Sequence, residues 1–146
     1  MMLKNKDILL IEDDSIDVMS FKRALVRLEI KNNVRHVENG EEALAYLSNS
    51  ENSKPGIIFM DINMPRMTGI DLAERLQRED VILPFGFVTS EGTKEMRERA
   101  KNAGALFLIA KPFTVGAFEE ALTPLIPSIE AEAATGETET PTPSEG

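Results

Sequence analysis

Gly56-Ile57-Ile58-Phe59-Met60-Asp61 runs directly into Ile62-Asn63-Met64-Pro65-Arg66-Met67-Thr68-Gly69. An unbroken apolar run of this length suits a strand buried on both faces, the kind found in parallel sheets sandwiched between helices. It stops at a carboxylate, crosses a loop, and enters a segment with Leu72, Ala73 and Leu76 at helical spacing. Strand, polar stop, helix is therefore the local unit.

The same unit recurs on both sides. Upstream, Ile8-Leu9-Leu10-Ile11 ends at Glu12-Asp13-Asp14, and Val18, Phe21, Leu25 and Leu28 then repeat at helical spacing. Lys22, Arg23 and Arg27 suit the wet side of that helix, with Asp14 or Ser15 as its cap. Val34 to Val37 is a weaker strand, and Asn39-Gly40 opens a helix bearing Ala43, Leu44 and Leu47. Downstream, a strand is expected in the latter part of residues 81–89, after Pro84 and ending at Thr89. A charged helix follows from Thr93 to Asn102, with Met96 and Ala100 facing inward and Ala103-Gly104 closing it. Leu106 to Ala110 is the fifth strand, ending at Lys111-Pro112. Thr114 then caps a last helix with Phe118 and Leu122, broken at Pro124.

Strict alternation over five repeats, with short connections, predicts an α/β fold. It has one five-stranded parallel sheet, doubly wound with five helices. The chain of 146 residues is expected to hold one domain over residues 5–129. Residues 130–146 are rich in Ala, Glu, Thr and Pro without hydrophobic periodicity, and read as a disordered acidic tail. No second domain is expected there.

The formal net charge of −9 argues against a nucleic-acid surface, since phosphate contacts are made mainly by Lys and Arg. Without cysteine there is no disulfide framework or thiolate site, and the cytoplasm is the expected compartment. The apolar runs are far too short to cross a bilayer, and no signal-peptide core follows Lys4 and Lys6. No membrane partner is expected.

The chemistry-bearing residues follow directly on the strands. Glu12 and Asp13, Asp61, Thr89 and Lys111 each stand at a carboxyl end. Ligand sites in open parallel sheets form beyond those ends, where the strand order reverses. With the order 2-1-3-4-5, the carboxylates of the first and third strands converge. Three such groups repel one another unless a cation lies between them, and a small hard ion such as Mg²⁺ suits carboxylates, water and phosphate oxygen together. Lys111 and Thr89 opposite supply a point charge and a hydroxyl for a tetrahedral dianion. This is a site suited to phosphoryl transfer.

Taken singly, each feature has a plain structural explanation: helix-terminal charge for Glu12, Asp13 and Asp14, a loop carboxylate for Asp61, a β-branched strand residue for Thr89, a solvated charge for Lys111. Their joint placement is what favours chemistry. His36, the single histidine, reads as a surface residue without a role. Met64 and Met67 flank the site, other methionines fill core gaps, and the charges from Lys94 to Lys101 read as a solvated helix face.

Four segments, Ile8 to Asp14, Asp61 to Gly69, Val88-Thr89-Ser90 and Lys111-Pro112-Phe113-Thr114, resemble the signature segments of response-regulator receiver domains, over about residues 5–123. That resemblance implies a flavodoxin-like fold and a two-component signalling role. Asp61 would accept a phosphoryl group from the phosphohistidine of a histidine kinase or phosphotransfer protein. Asp13 and Asp61 would hold Mg²⁺ by their side chains, Asn63 by its backbone carbonyl, and Glu12 through water. Thr89 and Lys111 would bind phosphoryl oxygens. Asn63 and Glu91 occupy positions that tune hydrolysis, and they resemble the fast-cycling, chemotaxis-type regulators, implying a short-lived phosphoryl group.

The chain departs from that family in two places. Where most members carry Tyr or Phe three residues before the lysine, this chain has Leu108, and Phe107 beside it points to the opposite face by strand alternation. Pro124 shortens the last helix. Both fall on the face formed by helix 4, strand 5 and helix 5, where Leu108 as the output switch position would favour an apolar contact such as a homodimer.

Output through an unknown protein partner follows, as a stand-alone regulator that does not act as an enzyme on other substrates. A phosphorelay intermediate or a phosphate sink would use the same site. A haloacid-dehalogenase-like phosphatase shares the ingredients, but its nucleophile comes first and a second Asp follows two residues later, where this chain has Asn63.

Overall fold

The computed structural model describes residues 6–90, 92–111, 116, 119–120 and 123. Its elements run β1 (Ile8–Ile11), α1 (Ser15–Arg27), β2 (Val34–Val37), α2 (Gly40–Ser48), β3 (Ile57–Asp61), α3 (Gly69–Arg78), β4 (Phe85–Thr89), α4 (Lys94–Asn102) and β5 (Leu108–Ala110). The five strands form one sheet in the order β2-β1-β3-β4-β5, and every pairing is parallel. This is the doubly wound arrangement expected from the alternation, with the flavodoxin-like order that the resemblance implies. Of the expected last helix, Gly116, Glu119 and Glu120 are helical. Thr114, Phe118, Leu122, Pro124 and the 130–146 tail lie outside the described residues.

Strand alternation divides the core in two. Leu9, Ile11, Ile58, Met60 and Phe87 pack with Ala43 of α2, Leu72, Ala73 and Leu76 of α3, and Ala100 of α4. Ile8, Leu10, Ile57, Phe59 and Val88 pack with Val18, Phe21, Ala24 and Leu25 of α1. Central strands thus bury alternate residues into opposite layers, which is why their sequences are apolar throughout. Each fully buried Leu, Ile or Phe contributes roughly 1.5–3 kcal/mol before conformational entropy is counted.

The helices begin where the sequence supplies caps. Asp14 caps α1, accepting from the N–H groups of Ile16 and Asp17. Thr68 and Asp71 form a reciprocal capping box at α3, and Thr93 caps α4. Each satisfies N–H groups that would otherwise lack a partner. Gly104 adopts φ 97° just past α4, a conformation open to glycine at little cost.

The fifth strand is shorter than the expected Leu106 to Ala110. Leu106 donates its N–H to the Phe85 carbonyl and Phe107 accepts from Phe87, so the backbone pairs before regular strand geometry begins at Leu108. Leu106 itself is exposed. Phe107 lies over Gly86, where an added Cβ would come within 2.3 Å of its ring, and stacks on Phe59 with ring centres 5.0 Å apart. Leu108 is half-buried against the opposite layer, so Phe107 and Leu108 face opposite ways.

Candidate phosphorylation site

Register brings the polar strand ends together. Ile11 pairs with Met60, so the next residues, Glu12 and Asp61, emerge side by side from β1 and β3. Asp61 pairs with Val88 and Thr89 with Ala110, which sets Thr89 and Lys111 one step further along the same edge. The chain passes from β1 out to β2 and returns beyond β1 to β3, so the crevice at these ends is the point where strand order reverses.

Lys111 is the hub. Its Nζ lies 3.0 Å from Glu12 Oε1, 3.2 Å from Asp61 Oδ2 and 2.9 Å from Asp17 Oδ2, with its side chain 8% exposed. Glu12 and Asp61 are each 3% exposed and Thr89 1%. The Asn63 N–H donates to Asp61 Oδ1 at 3.0 Å, and the Asn63 side-chain amide donates to Thr89 Oγ1 at 3.2 Å. Glu12 Oε2 also accepts from the Asp14 N–H at 3.1 Å. Behind these groups Gly69 packs on the Asp61 carbonyl so closely that a Cβ would come within 2.4 Å of its oxygen.

Negative charge exceeds positive here. Burial and the neighbouring Asp61 charge raise the Glu12 carboxyl from 4.5 to about 7. Burial also raises Asp61, against the lowering influence of Lys111 and the Asn63 N–H. Burial alone would depress Lys111, but hydrogen bonds to Asp17 and Glu12 and the nearby carboxylates hold it above the ordinary lysine value. Oxygen ligands from Glu12, Asp13 and Asp61 all lie within 4.8 Å of one another. A set of carboxylates in which Glu12 and Asp61 have raised proton affinity fits a hard dication such as Mg²⁺, which would relieve the repulsion between them.

Glu12, Asp13, Asp61, Asn63, Thr89 and Lys111 are therefore gathered as their spacing predicts, with Asp13 on the exposed rim. Glu91 lies outside the described residues. Leu108 lies in the core layer that also holds Met96 of α4.

Two residues were misjudged from sequence. His36 is half-buried, and its Nε2 lies 2.7 Å from the Glu12 carbonyl oxygen, tying β2 to the acidic turn by an N–H donated from the ring. Asp17 carries no assignment in the sequence reading. Its position four residues before Phe21, on the buried stripe of α1, was the available signal, because a carboxylate on a core stripe needs a partner.

Comparison with known proteins agrees with this geometry. The family model described as the response regulator receiver domain matches residues 8–123. A chemotaxis protein CheY homolog of Campylobacter jejuni is 32% identical over 129 residues, covering 87% of this chain and 97% of that protein. The transcriptional regulatory protein PdtaR of Mycobacterium tuberculosis is 32% identical over 123 residues, 84% of this chain. The chain spans 54% of the length of PdtaR. Among solved structures, a two-component response regulator from Legionella pneumophila superposes with TM-score 0.69 at 25% identity, covering 84% of this chain and 99% of that one. The phosphorylated cyanobacterial phytochrome response regulator RcpA gives 0.74 at 20% identity, over 96% and 99% of the two chains, a likeness of fold. Sheet order, the acidic crevice with its buried lysine and the span of the family model all lead to one assignment: the chain belongs to the response regulator receiver domain family.

Proposed function

We propose that this chain is a signalling receiver, with a receiver domain over residues 5–129 and an acidic segment over 130–146, that accepts a phosphoryl group on Asp61 from a phosphohistidine. A histidine kinase or phosphotransfer protein is the donor. The observation that carries this reading is the buried Lys111 ammonium joining Asp61 and Glu12 at the switch-point crevice.

Asp61 is the nucleophile: a carboxylate oxygen attacks phosphorus, the P–O bond forms as the P–N bond breaks, and the departing imidazole takes a proton. Lys111 and Thr89 receive phosphoryl oxygens as charge moves onto them, so their contribution is position and electrostatics. Asp13 and Asp61 would hold Mg²⁺ with their side chains, Asn63 with its backbone carbonyl, and Glu12 through water. When bound, the ion neutralises charge shared by the carboxylates and the phosphoryl oxygens. Asn63 and Glu91 limit the lifetime of the product by admitting water.

Signalling then proceeds by protein contact, in the cytoplasm and without nucleic acid or membrane, as phosphorylation shifts a two-state equilibrium toward a partner-binding form. Leu108 marks the output face, and a homodimer across α4, β5 and the last helix is one form that contact can take. Incubation with acetyl phosphate and Mg²⁺ is expected to label the protein stoichiometrically, with no turnover of an aryl phosphate. Sustained aryl phosphate hydrolysis would instead place the chain among aspartate-nucleophile phosphatases.

A further inference from the structure

An ammonium group has three hydrogens, and three carboxylates surround the one on Lys111. The shortest contact, 2.9 Å, is to Asp17 Oδ2. Glu12 Oε1 and Oε2 follow at 3.0 and 3.1 Å, and Asp61 Oδ2 at 3.2 Å. Asp17 is 8% exposed in the first turn of α1, and its backbone N–H is held by the Asp14 cap at 3.3 Å. Cap and core stripe together aim this carboxylate into the crevice.

The three partners differ in what else they must do. Glu12 and Asp61 belong to the group of carboxylates able to hold a cation, and Asp17 does not. Asp61 must also release its contact with Lys111 when it becomes an ester and a phosphoryl oxygen takes that place. Asp17 alone among the three has no competing duty, so its bond can persist from the free to the phosphorylated form.

We propose that Asp17 is a positioning residue for Lys111, holding the ammonium in the crevice while the donor facing Asp61 passes to a phosphoryl oxygen. This rests on Asp61 being the phosphoacceptor. It gives the stretch Glu12-Asp13-Asp14-Ser15-Ile16-Asp17 three separate carboxylate tasks: Glu12 and Asp13 toward the cation, Asp14 as the helix cap, and Asp17 toward the lysine.

The test is a double-mutant cycle on the full chain, following phosphorylation by acetyl phosphate with Mg²⁺ by intact mass. Asp17→Ala is expected to slow labelling about tenfold, the scale of one charge-assisted hydrogen bond. Lys111→Ala is expected to slow it further, and the double variant to match Lys111→Ala, since Asp17 acts only through the lysine. Labelling of Asp17→Ala at the wild-type rate would overturn the proposal. So would a double variant slowed by the product of the two single effects, the pattern of a merely structural contribution. If Asp17→Ala does not fold, Asp17→Asn carries the same cycle, with the same coupling to Lys111 expected and additivity again counting against it. A wild-type chain that takes no label overturns the phosphoacceptor reading and this inference with it, whereas normal wild-type labelling without coupling overturns this inference alone.

Discussion

Replacing Glu12 by Gln should stabilise the metal-free protein, and the gain should depend on pH. In the folded chain the Glu12 carboxyl is raised from 4.5 to about 7, by burial first and then by the charge of Asp61. A carboxyl whose folded value lies above its unfolded value favours folding at low pH. That contribution is fully present below about 4.5 and is lost as pH rises through about 7. Above that range the ionised group costs about 3 kcal/mol, taking roughly 1.4 kcal/mol for each tenfold change in proton affinity. Glutamine keeps an oxygen for Lys111 and removes the charge. Urea denaturation with a chelator present should therefore show the variant roughly 1–3 kcal/mol more stable at pH 8 and equal to wild type at pH 4. Mg²⁺ should narrow the difference at pH 8, because binding to the folded state stabilises wild type more than a variant lacking one carboxylate. A Glu12→Gln protein no more stable than wild type at pH 8, or a gain independent of pH, would refute the picture of surplus buried negative charge.

Other expectations follow from single contacts. Gly69→Ala forces a methyl to within 2.4 Å of the Asp61 carbonyl oxygen; a loss of about 1–3 kcal/mol is expected in thermal unfolding, together with slower labelling of Asp61. Phe59→Ala empties a site 1% exposed that is packed by Phe21 and Phe107. It should cost about 3–5 kcal/mol by chemical denaturation. Thr89→Ala removes the hydroxyl beside Asn63, and labelling by acetyl phosphate should slow by roughly ten- to a hundredfold in a time course of intact mass.

The sheet was legible because its strands are buried on both faces and so carry apolar runs that each end at a polar residue. Ile8 to Ile11 and Ile57 to Met60 could be placed almost to the residue. The helix cap at Asp14 was legible for a similar reason, since a short polar side chain just before an amphipathic stretch satisfies open N–H groups. Leu106 and Phe107 were harder: their backbone pairing resembles a strand, but Phe107 must cover Gly86, and regular geometry starts only at Leu108.

At the site, the four strand-end segments could be read because chain order and sheet order together bring them to one edge. Asp17 could not be read in the same way. Acidic residues in a first helical turn are usually solvated and favourable there, so its place on the core stripe signals a buried carboxylate but not its partner, Lys111, 94 residues away in sequence. His36 was obscured by the same locality, since its partner is the backbone of a neighbouring strand end and backbone acceptors leave no mark in a sequence.

The central claim is that Asp61 becomes phosphorylated, and intact-mass spectrometry after incubation with acetyl phosphate and Mg²⁺ tests it most directly. The wild-type chain should gain the mass of one phosphoryl group and lose it again on standing, while Asp61→Asn gains none. An unmodified wild type, or equal labelling of Asp61→Asn, would contradict the account.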